Sequence, residues 1–315
     1  MTPSPAPALI AVDWGTSRLR AVLLSADGAV LAERDSEDGI AAVAAGGHEA
    51  AFERLVADWP RCPAVMAGMV GSRQGWREAA YAPCPATPED LAARVLRFDT
   101  TSGRAVAIVP GIMLRSSDRD GDVIRGEETQ MVGLIDRGRA GGLVILPGTH
   151  SKWATIRNGA ITGFHTFLTG EMFALLAHHS FLRHSVAAEG GDVTAEPDFA
   201  LAVRRTAAEG LPFLAAIFSV RVRALLDGVG AAANRAYLSG LVIGGEIAAA
   251  RDAGAWIAGV PIRIVGAKSL ARAYRTAFAL LGHETEAVDG TEMVVAGLVH
   301  VARIIGFLAP GKVSP

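Results

Sequence analysis

Residues 8–12 form an uninterrupted apolar run that meets Asp13-Trp14-Gly15-Thr16-Ser17, after which Leu19, Ala21 and Leu23 alternate with polar or small neighbours. The run predicts a buried strand, the alternation a second strand, and the glycine between them a tight turn. Ala26-Asp27-Gly28 is a further turn signal, and residues 29–33 complete an antiparallel meander. Phe52, Leu55 and Val56 give residues 48–59 helical spacing, and residues 64–69 read as the next buried strand. This half of the chain is α/β.

The second half opens in the same way. Residues 142–146 are apolar and run into Pro147-Gly148-Thr149-His150-Ser151-Lys152; a strand follows over 153–156, Asn158-Gly159 turns, and residues 160–162 return. Both halves place Gly-Thr in the turn of a strand-turn-strand unit, with an Xaa-Gly turn roughly ten residues later, which is the mark of a duplicated domain plan. Helical spacing recurs over 212–226 and 270–281, residues 262–265 read as a strand, and the chain closes on a helix over 290–306. Residues 238–247 read as an apolar run leading into the paired glycines Gly244-Gly245 and a helix start at Glu246. No Pro/Ser-rich tract divides the chain. The expected organisation is a domain over 1–120 and another over 121–315, sharing a tight hinge with the final helix beside it.

The composition narrows the function classes. With 315 residues, half of them hydrophobic and 20% charged, the chain can bury a substantial core. Thirty basic against 32 acidic side chains leave a formal charge of −2, which supplies no bulk field toward nucleic acid or an anionic membrane. Mean hydropathy is +0.31, yet every apolar stretch is interrupted well before the roughly 18 residues of a membrane span. The first ten residues lack the basic start and apolar centre of a secretory leader, so a cytoplasmic location is expected, with Cys62 and Cys84 as reduced thiols. The apolar composition is compatible with a homodimer without locating an interface.

Candidate chemistry concentrates at the two turns. Gly15-Thr16-Ser17 and Gly148-Thr149-His150-Ser151 can present backbone N–H groups and hydroxyls to phosphate oxygens, although either alone would also serve an ordinary hairpin. Asp13 leads the first turn from a buried strand end, where its charge needs a cation such as hydrated Mg²⁺ or the turn it caps. Asp122, in Asp120-Gly121-Asp122-Val123-Ile124, is a helix N-cap candidate and, projecting into a cleft, a candidate general base. Gly126 and Gly133, with Ala296 and Gly297 on the last helix, would let two helices cross closely. Gly244-Gly245 could seat a flat adenine or ribose, or be a plain strand-to-helix turn. His178, His179 and His184 face different ways on a helix and are not expected to ligate metal. There is no Walker A sequence and no Gly-Xaa-Gly-Xaa-Xaa-Gly element, so a P-loop or Rossmann phosphate site is excluded.

These elements resemble the phosphate and adenosine motifs of the actin-like ATPase superfamily. Within it, Val12-Asp13-Trp14-Gly15-Thr16-Ser17, Arg125-Gly126-Glu127-Glu128-Thr129-Gln130, Pro147-Gly148-Thr149-His150-Ser151-Lys152-Trp153 and Thr169-Gly170-Glu171 are similar to the 2-dehydro-3-deoxygalactonokinase family across nearly the whole chain. The resemblance implies two ribonuclease-H-like domains closing an interdomain cleft on MgATP, and transfer of the γ-phosphate to the 6-hydroxyl of 2-dehydro-3-deoxy-D-galactonate in galactonate catabolism. It implies Asp122 as the base; Asp13 holding Mg²⁺ through water; Gly15, Thr16, Ser17, Gly148, Thr149, His150 and Lys152 on the phosphates; and Gly244, Gly245 and Glu246 on the adenosine. Met69-Val70-Gly71-Ser72-Arg73 resembles the sugar-contacting loop of related kinases, which makes Ser72, Arg73, Arg18 and Glu171 the expected substrate residues. Asp120, Glu127 and Glu128 lie near enough to compete with Asp122. A kinase for another sugar acid such as 2-dehydro-3-deoxygluconate, a phosphohydrolase and a non-catalytic sugar sensor remain the competing readings.

Overall fold

A computed structural model describes residues 5–115, 120–256 and 259–310; residues 1–4, the start of the segment read against a leader, lie outside it. The chain divides into two compact units, residues 1–140 with 156–163 and 290–315, and residues 141–155 with 164–289.

In the first unit, β1 (Pro7–Trp14), β2 (Leu19–Ser25) and β3 (Val30–Ser36) form the expected antiparallel meander. After α1 (His48–Leu55) comes β4 (Ala64–Gly68), which pairs parallel to β1. The chain continues through β5 (Ala82–Pro83), α2 (Pro88–Ala92), β6 (Leu96–Asp99) and β7 (Ala105–Ile108), giving a six-stranded sheet of order β3-β2-β1-β4-β7-β6. Ile10, Val12, Trp14, Met66 and Ile108 bury against Phe52 and Val56. Residues 9–12 of β1 and all of β4 are buried without alternation, as in a central strand covered on both faces. The strands β8 (Ile112–Leu114) and β9 (Asp122–Ile124) add a small sheet with β5, ahead of α3 (Glu127–Asp136).

The second unit carries β10 (Gly142–Leu146), the first part of β11 (Ser151–Arg157), the last part of β12 (Ala160–Phe167), α4 (Thr169–Ala174), α5 (Pro197–Val203), α6 (Phe213–Leu226), α7 (Ala231–Asp252), β13 (Ile262–Gly266), α8 (Lys268–Leu280) and β14 (Glu286–Asp289). Its sheet order is β12-β11-β10-β13-β14, with β13 parallel to both β10 and β14. This is the order β3-β2-β1-β4-β7 of the first unit repeated, so the duplication read from the two Gly-Thr turns is a duplication of sheet topology. Leu143, Ile145, Ile264, Trp153 and Phe278 form the core of this sheet.

The last helix, α9 (Gly290–Ile304), belongs to the first unit and crosses α3 at backbone distance. A Cβ on Gly133 would lie 2.1 Å from the Met293 carbonyl oxygen, and one on Gly297 would lie 2.0 Å from that of Thr129. The close crossing expected of these glycines is present. It also moves the boundary: residues 121–140 stay with the first unit, because β9 pairs with β8 and α3 packs on α9, so the division falls after Ala140 and not after 120.

Two further expectations change. Asp122 does not cap a helix; it begins β9 opposite Leu114, and the helix starts five residues later behind Gly126, whose φ of +107° suits glycine. Residues 238–247 are not a strand running into a turn but the middle of the 22-residue α7. Its glycines serve helix packing: a Cβ would come within 2.4 Å of the Phe199 carbonyl oxygen at Gly240, 2.2 Å of Thr206 Oγ1 at Gly244 and 3.0 Å of the Phe213 ring at Gly245.

Candidate active site

In the first unit, candidate groups gather where the parallel strands end, the place at which open α/β sheets bind ligands. Asp13 sits at the end of β1, in register with Arg20 of β2 and Ala67 of β4. Burial pushes its carboxyl above the usual range, against the opposing pull of the Arg20 guanidinium. Arg20 was not foreseen, since its pairing with Asp13 depends on strand register. The turn Gly15-Thr16-Ser17 is held from below: Ile40 and Ala41 donate backbone N–H groups to the Gly15 and Thr16 carbonyls, and Gly39 packs against the turn. Thr16 and Ser17 remain exposed.

Gly68, at the end of β4, has φ +94° and lies against both partners of this region. A Cβ there would stand 3.6 Å from Asp13 Oδ1, and one on Gly126 would stand 3.4 Å from the Gly68 Cα. The start of α3 is thereby brought beside the end of β1. Glu127 is half-buried and accepts from the Arg125 backbone N–H at 3.1 Å. Glu128 turns inward and is fully buried, accepting from the Gly126 N–H at 2.6 Å and from Thr129 Oγ1 at 3.1 Å. Burial, aided by the charge of Glu127, raises the Glu128 carboxyl from 4.5 to about 7. Asp122 accepts from the Val123 N–H at 2.7 Å.

The expected substrate residues divide. Ser72 is buried. Arg73 is 82% exposed with Glu78 3.8 Å away, and Arg18 pairs with Asp35 at 2.7 Å on the surface. Neither arginine is aimed by its surroundings at a binding site.

In the second unit the turn after β10 is braced by the start of α4. Glu171 donates its N–H to the Thr149 carbonyl at 2.9 Å, and a Cβ on Gly170 would meet the Gly148 carbonyl oxygen at 2.3 Å. His150 Nε2 lies 2.6 Å from Glu171 Oε2, so the Glu171 side chain meets the glycine turn through His150. Lys152 is buried within β11 and not directed to solvent. Glu246 is buried beneath the turn, where its carboxylate accepts from Ser151 Oγ at 2.8 Å, Trp153 Nε1 at 2.6 Å and the Tyr274 hydroxyl at 2.6 Å. Burial raises the Glu246 carboxyl, with these donors opposing, and raises the Tyr274 hydroxyl well above its usual value. Gly244 and Gly245 face other helices, and Glu246 is fully engaged, so none of the three offers itself to a nucleotide.

A cavity of about 620 Å³ opens against Gly148, lined by Ser239, Val242 and Ile243 of α7, Lys268 at the start of α8, and Gly190. This cavity lies on the face of α7 adjacent to the glycines. Gly190 and Lys268 carried no sequence signal of their own.

Among the described residues no group of three or more His, Cys, Asp or Glu side chains could hold a metal, and the histidines of 178–184 form no cluster. A single half-buried carboxylate, Asp13, fits a magnesium ion that keeps its water and takes its other oxygens from phosphates. No helix among these residues is long and apolar enough to cross a membrane.

The profile of one protein family, described as 2-keto-3-deoxy-galactonokinase, matches residues 13–301. The chain belongs to this family. It is 41% identical over 299 residues to a Rhizobium meliloti (strain 1021) protein named as a probable 2-dehydro-3-deoxygalactonokinase, covering 94% of this chain and 96% of that one. Identity to the 2-dehydro-3-deoxygalactonokinase of Escherichia coli (strain K12) is 34%, over 94% of this chain and 98% of the relative. A crystal structure from Sinorhizobium meliloti carrying the same kinase name superposes with a TM-score of 0.88 at 40% identity, covering 94% of this chain and 99% of the other. The match spans β1 to α9 and so takes in both glycine turns and the start of α3.

Proposed function

We propose that the chain transfers the γ-phosphate of ATP to the 6-hydroxyl of 2-dehydro-3-deoxy-D-galactonate, giving the 6-phosphate and ADP. The observation that carries this reading is the family match over a fold that repeats a glycine turn at the end of each unit's first strand. The cavity beside Gly148 suits the nucleoside, with Gly148, Thr149 and His150 on its phosphates. Thr16 and Ser17 would contact the transferred group. Asp13 would hold Mg²⁺ through water, and the ion would neutralise charge on the phosphate oxygens. Its strand neighbour Arg20 opposes the rise that burial imposes on that carboxyl.

We take Glu127 as the base in place of Asp122, a reading supported by its position at the start of α3 while Asp122 lies in β9. Glu127 lies in the first turn of α3, next to Gly126, which packs on Gly68 at the end of β4, and is clear of the sheet pairing that engages β9; a carboxylate there would take the hydroxyl proton as the sugar oxygen bonds to phosphorus and the bond to ADP breaks. Glu171 acts by orienting His150. Use of ATP fits a cytoplasmic location.

For the homodimer, the support is α6, where Leu214, Phe218 and Leu225 recur on one face and are 84%, 65% and 62% exposed. A second copy covering this face would make Leu214→Glu/Phe218→Glu monomeric in sedimentation while leaving turnover measurable; a wild type that sediments as a monomer removes the dimer.

The activity itself is tested by ADP release with Mg²⁺ and 2-dehydro-3-deoxygalactonate, its gluconate epimer or neutral hexoses, identifying the product by mass and ³¹P coupling. Turnover on the galactonate acid with phosphate on C6 is the expected result. Turnover on both acids would withdraw the narrow specificity. ATP hydrolysis indifferent to any sugar would favour a phosphohydrolase, and ATP binding without consumption a sensor.

A further inference from the structure

Arg73, one of the expected substrate residues, lies on the surface, whereas Arg125 is half-buried and its guanidinium is incompletely bonded. Its Nε and Nη1 are shielded from water and have no hydrogen-bond acceptor. Nη2 donates to the Ala79 carbonyl at 2.8 Å, and the guanidinium carbon stands 4.3 Å from the centre of the Tyr81 ring. These two contacts fix the guanidinium while leaving its charge unpaired, since no described carboxylate forms an ion pair with it.

A second orphan adjoins it. The Ser72 hydroxyl is also shielded and lacks a partner. Gly71, the residue before it, packs so closely on the guanidinium that a Cβ there would come within 2.8 Å of Nη1. Buried polar groups are nearly always satisfied, and a guanidinium keeps its charge when buried. Two unsatisfied sites on adjoining segments, one cationic and one a hydroxyl, are complementary to a carboxylate. Arg125 also stands two residues before Glu127, and Gly68, at the head of the Met69-Val70-Gly71-Ser72 turn, touches Gly126.

We infer that Arg125, with Ser72, is the anchor for the carboxylate of the sugar acid and sets the preference for acids over neutral sugars. Because both orphan groups are shielded, access for the carboxylate requires the Met69-Val70-Gly71-Ser72 turn to move outward. The inference rests on the sugar-acid kinase reading above and supplies the residue that recognises the acid.

The test measures kcat/KM for 2-dehydro-3-deoxygalactonate and for its C1 carboxamide in wild type, Arg125→Lys, Arg125→Met and Ser72→Ala. In wild type the acid should be preferred by roughly 10- to 100-fold, the scale set by a charge-assisted hydrogen bond to a buried guanidinium. Arg125→Met should cut that ratio to near unity, and Ser72→Ala should cut it several-fold, each with KM for ATP within two- to threefold of wild type. Arg125→Lys keeps the charge without the planar donors and should fall between; it carries the test if Arg125→Met does not fold. A purely structural arginine would lower both substrates together, so an unchanged acid-to-amide ratio in Arg125→Lys and Ser72→Ala overturns the inference while leaving the kinase standing. Wild type that phosphorylates neither compound overturns the kinase reading and this inference with it.

Discussion

Replacing Glu128 by Gln tests how the start of α3 is built. In the folded protein the Glu128 carboxyl titrates near 7 against an ordinary 4.5, because it is sealed from water beside the charge of Glu127. A carboxyl whose value is raised on folding favours the native state while protonated. Its contribution is therefore complete below about pH 4.5 and is lost as pH rises toward 7. A gap of about 2.5 pH units corresponds to about 3 kcal/mol, undiscounted for solvent because the group is fully buried. Glutamine cannot ionise, and its amide oxygen can still accept from the Gly126 N–H. Urea unfolding of both proteins at half-unit steps from pH 4.5 to 8.5 gives the difference in stability. That difference should move in favour of Glu128→Gln by about 3 kcal/mol across the range, with most of the change between pH 5 and 7. A difference that stays flat with pH would show that Glu128 ionises as readily in the folded protein as in the unfolded chain, and would refute the account of this helix start.

Other outcomes follow from the same packing. Glu246→Gln leaves one of the three donors around that carboxylate facing an amide N–H, so the second unit should lose about 1–3 kcal/mol and KM for ATP should rise as the turn at Gly148 loosens; a wild-type melting curve would contradict this. Gly297→Ala places a methyl on the Thr129 carbonyl and should cost at least about 1–3 kcal/mol, visible as a lowered unfolding midpoint, whereas Gly46→Ala, with no neighbour within 4 Å and only its positive φ against it, should cost less.

Much of the fold was readable because its signals are local. The Asp-Gly and Asn-Gly turns, the apolar runs at β1 and β10, and the period of α1, α6 and α8 each follow from a few adjacent residues, and the two Gly-Thr turns exposed the duplication. The strand ends and turns that carry Asp13, Thr16 and Gly148 were legible for the same reason. What escaped depends on distant partners. Gly244-Gly245 has the composition of a turn, and only Val203, Thr206 and Phe213 packing on it explain why it lies inside a helix. Val123 and Ile124 suit a helix or a strand equally, and pairing with β8 decides for the strand, which carries Asp122 away from the helix start. Arg73 and Arg125 are indistinguishable by type; one is exposed and the other enclosed by Gly71, Ala79 and Tyr81.

The central claim, a sugar-acid kinase whose base stands at the first residue of α3, is tested most directly by kcat of Glu127→Gln and Asp122→Asn at saturating ATP and 2-dehydro-3-deoxygalactonate. Loss of a general base costs on the order of 10²–10⁴ in rate, so Glu127→Gln should fall by that factor with nucleotide binding retained, and Asp122→Asn should stay within a few-fold of wild type. Full turnover by Glu127→Gln together with a collapse in Asp122→Asn would contradict it and return the proton to β9.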